Sequence, residues 1–269
     1  MNLKKVSAAM VLITGLTATT SVQAHRAWML PSATVLSGEQ AWVTVDGAVS
    51  NSLFYFEHHP LNLDELQIRS PSGSPVLAQN KAIGKYRSIF DAELIEDGTY
   101  TFEIRNQGVF GSYVIDGERK RWRGTAADAG DIPGEAQEVT LSEIDRRMQV
   151  FVTKGAPTHE NLEPTGEGLE MIPMTHPNDL FAGEVSQLQF TIDGKPAPGL
   201  DVTLIRDGIR YRDQVGERVL TTNAEGSVEV HWQEPGMYWL EVEAEQPGRD
   251  LENATRRLGY SATLEVLPL

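Results

Sequence analysis

Apolar and polar residues alternate in two separated segments of the chain. In residues 100–105, the apolar residues Tyr100, Phe102 and Ile104 are separated by polar ones, and residues 228–233 repeat the pattern. A period of two places alternate side chains on opposite faces of an extended strand. Both segments therefore predict β-strands that bury one face.

The alternating segments belong to a pattern that occurs twice. Residues 37–47 resemble residues 182–194, and later residues 98–104 resemble residues 236–242 in the same order. In each later segment a tyrosine stands two residues after a turn glycine, as the corner tyrosine does in immunoglobulin-like domains. Turn residues separate the predicted strands. The fold predicted is all-β, with two antiparallel, immunoglobulin-like β-sandwich domains.

The chain divides at a stretch rich in proline, glycine and acidic residues. We interpret residues 155–168 as a linker between an N-terminal β-sandwich, residues 25–154, and a C-terminal immunoglobulin-like β-sandwich, residues 169–269. Helical periodicity is scarce; residues 141–148 are the one segment for which we expect a helical turn or two.

Residues 1–24 have the pattern of a cleaved signal peptide. Lys4 and Lys5 are followed by a short apolar stretch, and residues 22–24 form a small-x-small cleavage site. Cleavage there makes His25 the first residue of the mature protein. Its freed α-amine and its ring Nδ1 could then chelate a metal ion, with a proton released from the amine. The alternative is that histidine follows the cleavage site by chance.

Composition indicates the cellular compartment of the protein and excludes some classes of partner. Cysteine is absent, which excludes disulfides and thiolate metal ligands, and the net charge is −15. So acidic a chain is a poor partner for nucleic acid or an anionic membrane surface. No second apolar run is long enough to span a membrane, so we expect no span in the mature chain. We expect a periplasmic protein, with secretion as the alternative.

Four segments resemble domain-of-unknown-function family 4198. They are His25-Arg26-Ala27-Trp28-Met29-Leu30-Pro31-Ser32, residues 120–124, residues 168–180 with their His-Pro-Asn-Asp-Leu sequence, and residues 235–240. The family resembles periplasmic components associated with nickel and cobalt uptake. The resemblance implies a metal-handling protein whose partner is a metal-uptake permease or an outer-membrane receptor.

Two further histidines are candidate ligands beside His25. His176 precedes a proline, which favours extended backbone and fixes its direction; its alternative role is a hydrogen-bonded histidine at the domain junction. His58 and His59 are expected to face opposite ways on a strand, and we favour His58 as the ligand, the alternative being a solvated pair. We expect His25 and His176 to share one ion, with His58 as a third ligand. Such nitrogen ligands suit a divalent transition metal, Ni, Co, Cu or Zn.

The remaining histidines and the basic and aromatic residues are weaker candidates. We expect His159 and His231 to lie at the surface. Residues 119–123 carry four cations around one tryptophan, which indicates either a solvated hairpin or a contact with an anionic partner. Trp239 is expected either to pack on the first domain or to mark a binding surface.

Two functional classes and a third interpretation, an adaptor without a metal site, remain open. The favoured class is a periplasmic binding protein that captures or passes a transition metal or a metal chelate. The second is a copper redox enzyme with a histidine brace, which would need a flat aromatic surface beside the metal. The third interpretation is an adaptor for a receptor or permease that has no metal site. Whether the protein is an enzyme is not decided by the sequence, although binding is favoured and no nucleophile or phosphate-loop motif occurs.

Overall fold

The computed structural model of the protein describes residues 26–269. The predicted signal peptide and His25 lie outside the described residues. Within residues 26–269, no helix is both long enough and apolar enough to span a membrane.

In the N-terminal half, the described residues 26–154 form eleven strands and one short 3₁₀ helix, Ala127–Asp131. The strands, in chain order, are β1 (Arg26–Pro31), β2 (Val35–Leu36), β3 (Ala41–Ser50), β4 (His59–Pro60), β5 (Leu66–Arg69), β6 (Pro75–Val76), β7 (Gln79–Ile83), β8 (Ser88–Leu94), β9 (Gly98–Ile115), β10 (Glu118–Gly124) and β11 (Gln137–Lys154).

The C-terminal half consists of eight strands and a 3₁₀ helix, Ile209–Tyr211. Its strands are β12 (Leu169–Pro173), β13 (Val185–Ile192), β14 (Lys195–Pro196), β15 (Asp201–Arg206), β16 (Arg218–Thr221), β17 (Ser227–His231), β18 (Gly236–Pro247) and β19 (Thr255–Val266).

These strands form two β-sandwiches, which confirms the predicted all-β sandwich fold. In the first, a sheet of order β1-β3-β8-β7, with β4 beside β3, packs on strands β5, β9 and β11. In the second, strands β12, β13 and β17 pack on β15, β18 and β19. Each sandwich has its own apolar core, with Phe90 and Phe102 in the first and Phe190 and Trp232 in the second.

One sheet is common to both sandwiches. Strand β11 of the first half pairs in parallel with β19 of the second, from Ser142 beside Thr255 to Val150 beside Thr263. The result is a continuous sheet of order β16-β15-β18-β19-β11-β9-β5-β6. The two halves are therefore joined by a strand ladder as well as by the segment that we interpret as a linker. The sequence did not predict this ladder, because the pairing is between strands more than 100 residues apart.

The helical turn expected at residues 141–148 does not form, since these residues belong to strand β11. Glu143, Asp145 and Arg147 alternate along the strand, and each is less than a tenth exposed. Burial of charge is tolerated where hydrogen bonds and opposite charges surround it. The buried face of this segment is therefore charged instead of apolar. A pattern of alternating hydrophobic residues does not reveal its two-residue period.

The buried charges of β11 are satisfied by neighbouring strands and loops. Arg105 forms a bidentate contact with Asp145 at 3.0 and 2.9 Å, and Arg147 donates to Glu170 at 2.8 Å. The carboxylate of Glu143 accepts three backbone N–H groups from residues 249–251. The ion pair from Arg147 to Glu170 links the shared sheet to the first strand of the second sandwich.

Both predicted corner tyrosines occur. The Tyr100 hydroxyl donates to the carbonyl of Glu96 at 2.9 Å, and the Tyr238 hydroxyl donates to the carbonyl of Glu234 at 2.7 Å. In each half the tyrosine thereby closes the turn that precedes a long strand, β9 or β18. The repeated sequence pattern corresponds to a repeated structural feature.

Residues 155–168 contain no strand but are anchored to the first half. The Thr158 backbone N–H donates to Thr99 Oγ1 at 3.0 Å, and the Asn161 side-chain amide donates to the carbonyl of Ser70 at 3.0 Å. The segment lies between β11 and β12 and packs against the sheet instead of extending away from it.

Strand β1 forms a third contact between the halves. Trp239 of β18 is 1% exposed and donates from Nε1 to the carbonyl of Ala27 at 3.2 Å. Trp28, on β1, belongs to the same apolar cluster as Trp239 and Ile205. Of the two roles expected for Trp239, packing on the first domain is the one observed.

Because a shared sheet and the cluster around Trp239 join the halves, we expect them to unfold in one transition. Trp239→Ala should lower the free energy of unfolding by about 3–5 kcal/mol, as for other large-to-small core substitutions. Differential scanning calorimetry should show one peak for both proteins. Tyr211→Ala, at a site 87% exposed, is the control and should change stability by less than about 0.5 kcal/mol. Two separate peaks in the wild-type protein would contradict a single folding unit.

Candidate functional site

The described chain starts between the two halves. The Arg26 guanidinium lies 3.3 Å from the Glu217 carboxylate and 5.4 Å from the ring centroid of Trp239. The first described residue of β1 is thus held against the loop after β15, and the residue before it, His25, is outside the described part.

His58 and His59 lie near this end of β1. Val49 of β3 pairs with Ala27 on one side and with His59 on the other, so one strand separates the two residues. Two strand spacings correspond to about 10 Å. Both neighbours run antiparallel to β3, so a step from Ala27 to Arg26 and a step from His59 to His58 go in the same direction. His58 is therefore the neighbour of His59 on the side where the described chain starts.

The expectation that His58 and His59 face opposite ways is wrong. Both side chains are exposed, and their ring centroids are only 4.9 Å apart. The preceding segment is not an extended strand, because Phe54 has a φ of 60° and packs edge-on against Trp28, at 5.4 Å between centroids. The bend replaces the strict alternation on which the expectation depended.

His59 has the hydrogen bond that commonly orients a metal-binding imidazole. Its Nδ1 lies 3.0 Å from the carbonyl oxygen of Pro60. A carbonyl can only accept, so Nδ1 carries the proton and Nε2 keeps a free electron pair for a ligand. The sequence pattern favoured His58, and this feature of His59 depends on the turn into β4, which a local pattern does not reveal.

His176 lies in a buried polar cluster at the junction. It is 6% exposed, and its Nδ1 accepts the backbone N–H of Asn178 at 3.0 Å. Its Nε2 lies 3.0 Å from Thr99 Oγ1 and 3.1 Å from the carbonyl of Thr158, to which it donates. Both ring nitrogens therefore have hydrogen-bond partners. This matches the alternative role expected for His176, a hydrogen-bonded histidine at the domain junction. A metal ion would have to displace one of these contacts.

The position of His176 along the shared sheet separates it from the start of β1. Its partner Thr99 pairs with Thr153, near the end of β11, whereas Ala27 and Met148 line one cavity. Five residues of strand separate Met148 from Thr153, a length of about 16 Å. His25 lies outside the described residues, and its sharing of an ion with His176 stays a prediction.

His159 and His231 are exposed, as expected. The His159 ring lies edge-on to His176, with centroids 5.0 Å apart. Among residues 26–269, no group of three histidine, aspartate or glutamate side chains is arranged to hold a metal ion.

A half-buried carboxyl group, that of Glu241, lies in the cavity next to Ala27. The cavity has a volume of about 190 Å³ and is also lined by Arg146, Met148 and Tyr260. Burial raises the pKa of Glu241 to about 7, and the charge of Glu243 acts in the same direction. Arg26 and Arg146 oppose the shift, while Glu217 adds to it. Near neutral pH this carboxyl group gains or loses its proton.

Glu241 should make the protein less stable as the pH rises. Its pKa is 4.5 in an unfolded reference and about 7 in the fold, so the folded state binds more protons between these values. The stability contribution is therefore present below pH 4.5 and is lost as the pH approaches 7. Glu241→Gln should raise the free energy of unfolding at pH 8 by about 1–3 kcal/mol, measured by urea denaturation. Glu245→Gln is the exposed control; an equal effect of both substitutions would refute the assignment.

His176 should have the opposite effect. Burial lowers its pKa below 6.5, as does the nearby charge of His159. Its stability contribution is present above pH 6.5 and is lost as the pH falls through the lower, folded pKa. His176→Gln should cost about 1–2 kcal/mol at pH 7.5 through lost buried hydrogen bonds, yet should make the decline between pH 6.5 and 5 shallower. The control is His231→Gln; an unchanged acid slope in His176→Gln would contradict this role.

No curated protein matches the chain. Solved structures with a similar arrangement include the D0-D1 domain of intimin, at 7% identity and a TM-score of 0.23, with 89% of this chain and 97% of that chain covered. The D00-D0 domain of intimin, at 10% identity and a TM-score of 0.21, covers 90% of this chain and 100% of that chain. The human OSCAR ligand-binding domain, at 13% identity and a TM-score of 0.19, covers 87% and 98%.

A family model, described as a domain of unknown function (DUF4198), matches residues 22–246. This match covers most of the chain, including strand β11 and most of β18, and ends before β19. The chain belongs to the DUF4198 family.

Proposed function

We propose that the protein binds a divalent transition metal ion, or its chelate, through His25 at the start of the mature chain. The second ligand comes from the adjacent residues His58 and His59. The observation that carries the proposal is the register β1-β3-β4, in which Val49 pairs with both Ala27 and His59. The start of β1 and the histidine pair therefore lie about 10 Å apart, with one strand between them.

The chemistry of the pair supports this choice over His176. The Nδ1 of His59 donates to a carbonyl and leaves Nε2 to bind. By contrast, both nitrogens of His176 already have hydrogen-bond partners in a buried cluster. The ion is Ni, Co, Cu or Zn, since these metals accept imidazole and amine nitrogen. The role that fits is metal capture or transfer in the periplasm, next to an uptake permease or outer-membrane receptor.

The test is metal titration of protein that begins at His25. Isothermal titration calorimetry with each of the four metals should give one site. A form with one extra residue before His25 lacks the free amine at that position and should bind at least about tenfold more weakly, a change of about 1.4 kcal/mol. His59→Ala should weaken binding to a similar degree because it removes a ligand.

Two matched controls make the ligand assignment specific. His231→Ala and His176→Ala should leave the affinity unchanged, provided that each variant is folded by circular dichroism. If His176→Ala abolishes binding while the double variant His58→Ala, His59→Ala does not, the site is the one shared by His25 and His176. If no metal binds to correctly processed protein, the proposed function is wrong.

A copper redox enzyme is the second candidate, and exposed aromatic residues favour it. Tyr211 is 87% exposed and Tyr55 is 38% exposed, with the Arg210 guanidinium 4.0 Å from the Tyr55 ring centroid. Tyr211 belongs to the loop that Arg26 contacts through Glu217. Copper-loaded protein, supplied with a reductant and oxygen, would release oxidised sugars from a polysaccharide. Tyr211→Ala should then lower the yield without a change in copper affinity; equal yields would remove this candidate.

A further inference from the structure

A basic β-hairpin projects from the shared sheet. Strand β10 pairs with the second half of β9, and a two-residue turn, Asp116 and Gly117, joins them. Both turn residues have positive φ, 51° and 78°, which is the conformation of a type I′ turn. Residues 119–123 of this hairpin carry four of the chain's 23 lysines and arginines and none of its 38 acidic residues.

The turn determines which backbone groups of β10 face outward. In a two-residue hairpin the residues that flank the turn, Ile115 and Glu118, form a hydrogen-bonded pair. Pairs then alternate, so Arg119, Arg121 and Arg123 have N–H and C=O groups that point away from β9. Within the described residues, no second strand pairs with β10. The outer edge therefore presents unpaired backbone groups together with a row of arginines.

Some of these cationic side chains contact other residues of the protein, and others do not form an ion pair within the described residues. The Arg119 guanidinium contacts Glu138 and donates to Ser112 Oγ at 3.1 Å. The Arg123 guanidinium stacks at 5.0 Å on the ring of Phe110. For Lys120 and Arg121, which are both exposed, the described structure shows no ion pair. Two cations in the middle of the strand are thus open to a partner.

We propose that the outer edge of β10 is a docking edge for an extended acidic segment of a partner protein. Such a segment would add a strand to the hairpin through the backbone groups of Arg119, Arg121 and Arg123, and its acidic side chains would meet the cations. A second copy of β10 is disfavoured there, because like charges would lie opposite each other. An anionic lipid surface would use the cations alone and would leave the backbone groups unpaired.

Substitutions at Arg121 separate the backbone contribution from the charge. The probe is a capped, fluorescently labelled peptide in which Glu and Thr alternate, with a Lys–Thr peptide as its control, and binding is followed by fluorescence anisotropy. Arg121→Gln removes one charge and should weaken binding about threefold, as expected for a surface ion pair. Arg121→Pro also removes the outward N–H and should weaken it by at least about tenfold more. The double variant Lys81→Gln, Lys195→Gln loses two exposed charges elsewhere and should bind as the wild type does.

Hydrogen exchange provides a readout that does not depend on the folding of the proline variant. On addition of the Glu–Thr peptide to the wild-type protein, the amides of Arg119, Arg121 and Arg123 should gain protection, whereas those of Lys120 and Trp122 are already paired with β9. Vesicles of phosphatidylglycerol and phosphatidylcholine form the competing arm. Equal vesicle binding by the wild type and Arg121→Pro, without peptide binding or added protection, would overturn the proposal in favour of a lipid surface. Absence of binding to both probes would overturn it as well.

Discussion

The parallel ladder between β11 and β19 is the constraint on which the arrangement of the molecule depends. Parallel strands cannot be joined by a tight turn, and here the chain forms the other strands of the second sandwich before β19 returns to β11. The ladder places one edge of each sandwich in a common sheet. It also brings β1 over β18, where the Ala27 carbonyl accepts the Trp239 indole N–H. The start of the described chain is thereby held by both halves.

The junction requires burial of charge along β11, and this charge also fixes the register of β11 against β19. Asp145 accepts a bidentate contact from Arg105, and its carboxylate lies 3.6 Å from Arg256 of β19. A shift of one residue between the two strands would turn these groups to the opposite face and leave charge unpaired in the interior. Such ion pairs add little net stability compared with apolar packing, but they penalise the wrong register strongly. We infer that they specify the pairing of the two halves more than they strengthen it.

The sequence predicted features that depend on local chemistry and missed those that depend on distant pairing. Tyr100 and Tyr238 were recognisable because a corner tyrosine needs only its own turn, and both form the expected hydrogen bond. Strand β11 was not, because its buried face is charged and its partner β19 is distant in sequence. The candidate ligands follow the same rule: surface exposure of His159 and His231 was predictable, whereas the close placement of the His58 and His59 rings follows a bend at Phe54. That bend is stabilised by aromatic contacts with Trp28, which a local pattern does not reveal.

The proposed metal site and the basic hairpin use different parts of one framework. The histidine pair lies beside β3 of the sheet β1-β3-β8-β7 in the first sandwich. Strand β10 extends the sheet that both sandwiches share, beyond their apolar cores. The framework between them is held by strand ladders, and Glu241, a carboxyl group whose pKa burial raises to about 7, lies at the junction with β1. A cation bound near Arg26 would favour the ionised form of this carboxyl group, and ionised Glu241 would in turn favour the cation. Binding of a cation at the chain start and protonation of Glu241 would therefore oppose each other through charge.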